Sequence, residues 1–232
     1  MYLLTETVSP FALERWAAFF ANFGQFAKGF LYTLGISIGA LIVALLLGLI
    51  FGAMSSTHNK VLRGISRVYV EIFQNTPLLV QFVVVFYGIS ILTDGHVMIP
   101  ISLTAILCVG LYTGAYISEI IRTGIEAVPK GQTEAALSQG FTYADTMRII
   151  ILPQAVRTIL PPLTNQVVNL IKNTSTVAII SGADIMFTAK AWAYDTTNYV
   201  PAFAGAAFLY FIMCFPLATW ARRKEEENKK AY

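Results

Sequence analysis

The chain has 232 residues, 56% of them apolar and 12% charged, with a formal net charge of +3, and its mean hydropathy is +0.64. A soluble domain carries about 25% charged residues, so the composition excludes a water-soluble globule and indicates a membrane protein. The small, dispersed positive charge gives no sign of a nucleic-acid partner, and Cys108 and Cys214 each lie in an apolar run, which supports neither a disulfide framework nor a metal site.

In chain order, residues 1–29 form an external segment with Phe11, Trp16, Phe19, Phe20, Phe23 and Phe26. These aromatics suit either a helix in the membrane interface or packing against the spans. The first residues lack a basic stretch followed by a cleavage site, so no secretory signal is expected. Charge-free stretches of about 20 residues are long enough to cross the hydrocarbon. Five are expected, at 30–54, 68–92, 99–121, 156–181 and 201–220. The second is interrupted by Glu71 and Pro77, and the fourth by Pro161, Pro162 and Lys172.

Basic residues mark the inner loops. Lys60, Arg63 and Arg67 lie between spans one and two, Arg122, Lys130, Arg148 and Arg157 around the connection from three to four, and Arg222, Arg223, Lys224, Lys229 and Lys230 in the tail at 222–232. The loop around Asp94 has no lysine or arginine. The sequence therefore predicts an external N-terminus and a cytoplasmic C-terminus. Glu225–Lys229 and Glu226–Lys230 are expected to pair across one turn of the tail.

Between spans three and four lies a segment with its own local logic. Pro129 and Gly131 break the preceding helix, Gln132 to Gln139 favours a helix, and Gly140 can take the left-handed conformation that ends one. Thr142 and Asp145 have the spacing of a capping box for a second helix, which Pro153 is expected to stop. Residues 129–153 thus read as two short helices meeting at a glycine elbow, a compact knob suited to transmitting force.

The fixed positions of this knob are Glu134, Ala135, Ala136, Gly140, Ile150, Leu152 and Pro153. Their pattern, Glu-Ala-Ala, three residues, Gly, nine residues, Ile-x-Leu-Pro, resembles the hallmark of the inner-membrane permease subunits of bacterial ABC importers. The stretches Gln74-Asn-Thr-Pro-Leu-Leu-Val-Gln81, Gly131-Gln-Thr-Glu134 and Lys172-Asn-Thr-Ser175 resemble the polar amino acid branch of that family. The resemblance covers most of Phe30 to Arg223. It implies an all-α, five-span permease domain at 30–221 with a cytoplasmic coupling helix, the type I importer fold, in the bacterial plasma membrane. It also implies three kinds of partner: two copies of an ATPase gripping the knob, a second permease copy or homologue, and an external binding protein. ATP and magnesium would belong to the ATPase, with no cofactor on this chain. Glutamine, glutamate or aspartate is the cargo that the resemblance favours, with arginine, histidine and cystine as alternatives.

Polar groups inside spans are candidates for the passage. Asn165, Asn169 and Asn173 recur every four residues and form one stripe, flanked by Gln166 and Lys172. Amides can meet both ends of an amino acid, or they can bond neighbouring helices. Tyr112 and Tyr116 share a face one turn apart, and Glu119 and Arg122 have ion-pair spacing. Thr76 and Pro77 read as an N-cap and first helical residue, so the second span is expected to restart there, at a gate, with Gln81 projecting from the next turn. Gly35/Gly39, Gly48/Gly52 and Gly110/Gly114 have the spacing for close helix approach, either between two copies or within one.

No phosphate-cradling Gly-x-x-x-x-Gly-Lys-Ser/Thr occurs, and His58 and His96 fall in loops expected on opposite sides. The chain is therefore read as a permease and not an enzyme. An ion-coupled secondary transporter is the alternative, but it should show inverted repeats and charged midplane sites, and neither is apparent.

Overall fold

The computed structural model describes residues 9–230, apart from the side chains of 224, 225 and 227–230 near the end. Among the described residues every regular element is helical. Helix α1 (Leu13–Ala21) is followed, after Asn22 alone, by α2 (Phe23–Ser55), whose 33 residues span about 50 Å. Helix α3 (Lys60–Gln74) starts under an Asn59 cap, whose side chain accepts from the Val61 and Leu62 N–H groups. Helix α4 (Leu78–Val83), a π-turn (Val84–Gly88) and α5 (Ile89–Leu92) form one continuous rod, and α6 (Ile101–Glu126) follows Pro100.

Helices α2 and α6 form the frame. Gly39 meets Ile106, Gly110 meets Val43, Gly48 meets Ile117 and Gly52 meets Ile121. A Cβ at Gly48 would lie 2.4 Å from Ile117, and one at Gly110 2.7 Å from Val43. These glycines let two backbones approach closely, which is the main source of helix association in lipid. Of the two readings of the glycine pairs, packing within one subunit holds for these four and for Gly114, which meets Tyr69 and Leu47. Nothing lies within 4 Å of a Cβ at Gly35.

Contacts along the two helices rise together in residue number, so α2 and α6 are parallel and the chain crosses back between them. That return is broken at Pro77, as expected, but it begins earlier than the span expected at 68–92. It runs from Lys60 to Leu92 with a 97° bend at Asn75 to Pro77. A proline here supplies no N–H, and the residue before it is driven out of the helical region.

The knob comprises α7 (Lys130–Ser138), α8 (Tyr143–Asp145) and a π-turn (Thr146–Ile151), which runs straight into α9 (Leu152–Asn173). The expectation that Pro153 stops the helix is therefore wrong. Through the π-turn the Leu152 N–H bonds the Met147 carbonyl, one residue further back than in an α-helix. The missing donor of Pro153 falls where the register changes, so the proline costs little.

The fourth crossing is also discontinuous, in contrast to the single span expected at 156–181. Helix α9 ends in a 3₁₀ turn (Thr174–Ile180), Ser181 takes a left-handed conformation, and a further helix, α10 (Ile185–Thr196), completes the return. Helix α10 was not foreseen. Its first N–H, at Ile185, donates to Thr33 Oγ1 at 3.1 Å, while Trp192 near its end packs on Phe19 and Phe26. It therefore climbs from part-way along α2 back to the start of α2, where α11 (Tyr199–Lys230) begins the last crossing. Among the described residues three helices, α2, α6 and most of α11, are long and apolar enough to cross a membrane unbroken.

Two cores result. One joins α2, α4, α6, the end of α9 and the 3₁₀ turn around Phe82, Val109 and Leu170, and the other joins α1, the start of α2, the end of α9, α10 and α11 around Phe26, Ile185 and Trp192. The N-terminal aromatics divide between the two readings offered for them: Phe19 and Phe26 are buried packing groups, while Phe11 and Phe20 are exposed. The tail pairs Glu225–Lys229 and Glu226–Lys230 involve side chains outside the described residues.

Candidate functional site

The knob is built from two closures in series. At the end of α7 the Phe141 N–H bonds the Ala136 carbonyl at 3.1 Å and the Gly140 N–H bonds Leu137 at 3.0 Å. This is the Schellman arrangement, and it requires the positive φ of +89° found at Gly140. Thr142 then caps α8 by accepting from the Asp145 N–H at 3.2 Å, while its hydroxyl donates to the Asp145 carboxylate. The elbow and cap foreseen from spacing both form. Helix α7 packs against the π-turn, with Ala136 and Ile151 buried between them.

The seven motif residues divide by position. Ala136 is buried and Ile150 half-buried, while Glu134, Ala135, Gly140, Leu152 and Pro153 are exposed. Leu137, Phe141, Tyr143 and Ile149 add an exposed apolar surface. On the far side, His58 of the α2–α3 loop stacks edge-on against Tyr143 at 5.3 Å. The loop and the knob therefore share one end of the molecule.

The expected passage residues form three separate groups. Tyr112 and Tyr116 meet through their hydroxyls at 3.2 Å. On α9, Asn165 and Asn169 are exposed and Asn173 half-buried. The stripe's one side-chain bond among the described residues runs from Asn169 Nδ2 to Gln166 Oε1 at 3.4 Å. Gln81 joins Thr76 and Pro77 at the break. Its N–H bonds the Pro77 carbonyl at 3.2 Å.

At the break the helix restarts, but the capping differs from the expectation. Pro77, at φ −60° and ψ 133°, is itself the cap position, and Thr76 caps nothing in α4. Its hydroxyl turns back and donates to the Ile72 carbonyl at 2.6 Å. The neighbouring carbonyls are met in the same way: Asn75 Nδ2 donates to Glu71 at 2.8 Å, and Gln81 Nε2 to Phe73 at 3.2 Å. Three consecutive carbonyls at the end of α3 thus receive side-chain donors. An open carbonyl in an apolar setting is costly. The Asn-Thr-Pro…Gln stretch is, physically, a cap for an interrupted span.

Sequence reasoning missed two features. The first is a cavity of about 710 Å³ between α3 and α6, lined by Lys60, Arg63, Arg67 and Arg122 and by Glu71, Glu119 and Glu126. Arg67 pairs with Glu71 at 3.0 Å, and Arg122 pairs with Glu119 and, at 2.5 Å, with Glu126. The expected Glu119–Arg122 pair is present, but as part of this wall. Three polar bonds hold α3 to the frame: Ser66 Oγ to the Phe51 carbonyl, Tyr69 Oη to Leu111 and Gln74 Nε2 to Ala115.

The second is Asp184, a carboxylate with no exposed surface. It accepts from the Met186 and Phe187 N–H groups at 3.1 and 3.0 Å, and from Tyr210 Oη at 3.2 Å. These three bonds offset its desolvation and tie the start of α10 to α11. Asp followed by an apolar helical run was a readable N-cap signal. Among the described residues no cluster of His, Cys, Asp and Glu could hold a metal.

Residues 44–225 match the family described as the binding-protein-dependent transport system inner membrane component. This chain belongs to that family. A probable glutamine ABC transporter permease protein, GlnM of Bacillus subtilis (strain 168), is 37% identical over 216 residues, covering 92% of this chain and 97% of the relative. The glutamate/aspartate import permease protein GltJ of Escherichia coli (strain K12) is 34% identical over 208 residues, covering 82% and 85%. A solved amino acid ABC transporter "with histidines" superposes with a TM-score of 0.84 at 31% identity, over 91% of this chain and 98% of that one. The methionine transporter MetNI, in inward-facing conformations, shares the fold at a TM-score of 0.68 and 16% identity, over 88% and 98%.

The chain is accordingly an inner-membrane ABC importer permease with the type I fold. ATP hydrolysis lies in a separate subunit, and an ATPase and a binding protein are its general partners. The ion-coupled alternative is not favoured.

Proposed function

We propose that this permease carries a polar amino acid, of the glutamine, glutamate and aspartate group, from an extracytoplasmic binding protein into the cytoplasm. The relatives named for those substrates, matched over most of the chain, support this reading. Two permeases, either two copies of this chain or this chain and a homologue, would sit on an ATPase dimer, with the N-terminus external and the C-terminus and knob cytoplasmic.

The knob carries the proposal. Its exposed Glu134, Ala135 and Leu137 and the aromatic rings beyond Gly140 give each ATPase a rigid surface to hold, and Ala136, Ile150, Leu152 and Pro153 join that surface to α9. ATP-driven closure then moves α9 and, with it, the passage. ATP biases the gate only if the knob contacts the ATPase differently in the two states. In this assignment the gate is at Thr76 and Pro77, and the passage is lined by Gln81, Tyr112, Tyr116, Asn165, Asn169 and Asn173. Asn165 and Asn169 of the asparagine stripe are exposed on the single chain and are too polar for lipid, which favours a partner or a water-filled path opposite them.

Radiolabelled uptake by the full complex in liposomes tests the substrate. ATP-dependent glutamine uptake competed by glutamate or aspartate is expected, and uptake of only a hydrophobic or cationic amino acid would overturn the reading. For orientation, His96→Cys should react with an impermeant thiol reagent in whole cells and Gln139→Cys should not. His96 is chosen because it is exposed and the neighbouring Gly95 has a φ of +79°.

A further inference from the structure

The charged cavity between α3 and α6 ends at the break in the second crossing, where Gln74 and Asn75 line it. The donors on the Glu71 and Ile72 carbonyls come from Asn75 and Thr76, on the α3 side of Pro77. The third comes from across the break. Gln81 Nε2 reaches back from α4 to the Phe73 carbonyl at 3.2 Å, the Thr76 carbonyl at 3.1 Å and Thr76 Oγ1 at 3.0 Å. A change in the 97° angle between α3 and the rod that begins with α4 must therefore break or rebuild these bonds. Among the described residues nothing holds the other end of the same amide: Gln81 Oε1 is buried and has no protein donor there.

Helix α4 is mechanically connected to the knob. It packs on the 3₁₀ turn 174–180, with Phe82 fully buried and Leu78 nearly so. That turn continues α9, which continues the knob without a break.

We propose that Gln81 is a latch, a positioning residue whose amide bridges the break and holds the α3–α4 angle that closes the end of the cavity until the knob moves α4 through α9. This rests on the importer reading above. The half-satisfied amide suits such a role, because a group bonded at one end only can exchange partners between two discrete arrangements. The role does not depend on contact between Gln81 and the cargo.

The test uses the complete complex with its ATPase and binding protein in liposomes, reading ATP hydrolysis without loaded binding protein and uptake per ATP. Gln81→Met keeps the volume and removes the amide. It should raise unstimulated hydrolysis about fivefold and lower uptake per ATP by a similar factor, as expected for one lost hydrogen bond between two states. Thr76→Val should move both readings in the same direction by a smaller factor, and Thr76→Ser should restore them. This pair decides the matter if Gln81→Met fails to assemble. Unchanged hydrolysis and uptake per ATP, with only a lower melting temperature or yield, would make Gln81 a packing group and overturn the latch. If the unmodified complex shows no ATP-driven amino acid uptake, the importer reading falls and the latch with it.

Discussion

Two pairs of crossings in this molecule are held together by opposite means. Helices α2 and α6 run unbroken beside each other, with glycines on one helix receiving isoleucine or valine from the other. The second and fourth crossings are interrupted, and polar side chains close their gaps: Asn75, Thr76 and Gln81 at one break, Asp184, Tyr210 and Thr33 at the other. Close packing between straight helices tolerates little change in geometry. A gap closed by side chains can have two arrangements. The contrast separates a frame from the parts that move against it, and α4 joins the two interrupted crossings by packing on the 3₁₀ turn.

The frame should be the less forgiving of the two. Gly48→Leu places a branched side chain where a Cβ alone already lies 2.4 Å from Ile117. It should cost about 3 kcal/mol, at the upper end for overpacking, and abolish recovery of folded subunit. A Cβ at Gly35 meets nothing within 4 Å, so Gly35→Leu should leave the melting of the isolated subunit unchanged. If both variants behave alike in thermal melting, the frame is not held by these glycines.

The polar closures should respond to chemistry more than to size. Asp184→Ala removes a helix cap and leaves the Met186 and Phe187 N–H groups and the Tyr210 hydroxyl without their acceptor. A loss of about 2 kcal/mol is expected. Asp184→Asn keeps a capping oxygen and should recover most of it. Melting of the two variants side by side checks this, and equal losses would mean that the charge, and not the cap, is what matters.

How much of this was legible depended on how local each signal was. The knob was readable because its elbow, cap and motif lie within 25 residues of each other, and the frame glycines because each helix carries its own spacing. The restart at Pro77 was readable too, but its cap was assigned one residue early. Threonine before proline resembles an N-cap, yet Pro77 is itself extended and the hydroxyl found an open carbonyl behind it. Pro153 misled for the opposite reason, since a π-turn absorbs its missing donor. The charged cavity was out of reach: Lys60 to Glu71 and Glu119 to Glu126 come from helices far apart in sequence, and each group alone resembles an ordinary inner loop.

Between frame and moving parts stands the elbow. Gly140→Val forces a β-branched residue to a φ of +89°, at a cost of about 1–2 kcal/mol. That is too little to unfold a subunit whose frame is intact, but enough to turn α7 relative to α8. Uptake should fall several-fold while the complex still assembles. ATPase stimulation by loaded binding protein, measured beside uptake in liposomes, checks this, and normal values for both would remove the elbow from the coupling path.

The smallest effect on stability, and the sharpest test of what the moving parts carry, belongs to Asn169. It is exposed on the single chain, and its one side-chain bond is a long one to Gln166 at 3.4 Å. Replacing it with leucine should therefore cost no more than about 0.6 kcal/mol, the average for a polar contact between membrane helices. If α9 lines the passage, Asn169→Leu removes both a donor and an acceptor from the wall met by an amino acid. Uptake or the order of competing amino acids should then change, while the binding protein keeps its own affinity. If the stripe only bonds a neighbouring helix, selectivity should be untouched and the melting temperature of the assembled complex should fall. Competition assays and melting on the same preparation distinguish the two. Unchanged competition with lowered melting would assign Asn165, Asn169 and Asn173 to packing, and would leave the break at Gln81 as the remaining polar element of the moving crossings with a claim on the passage.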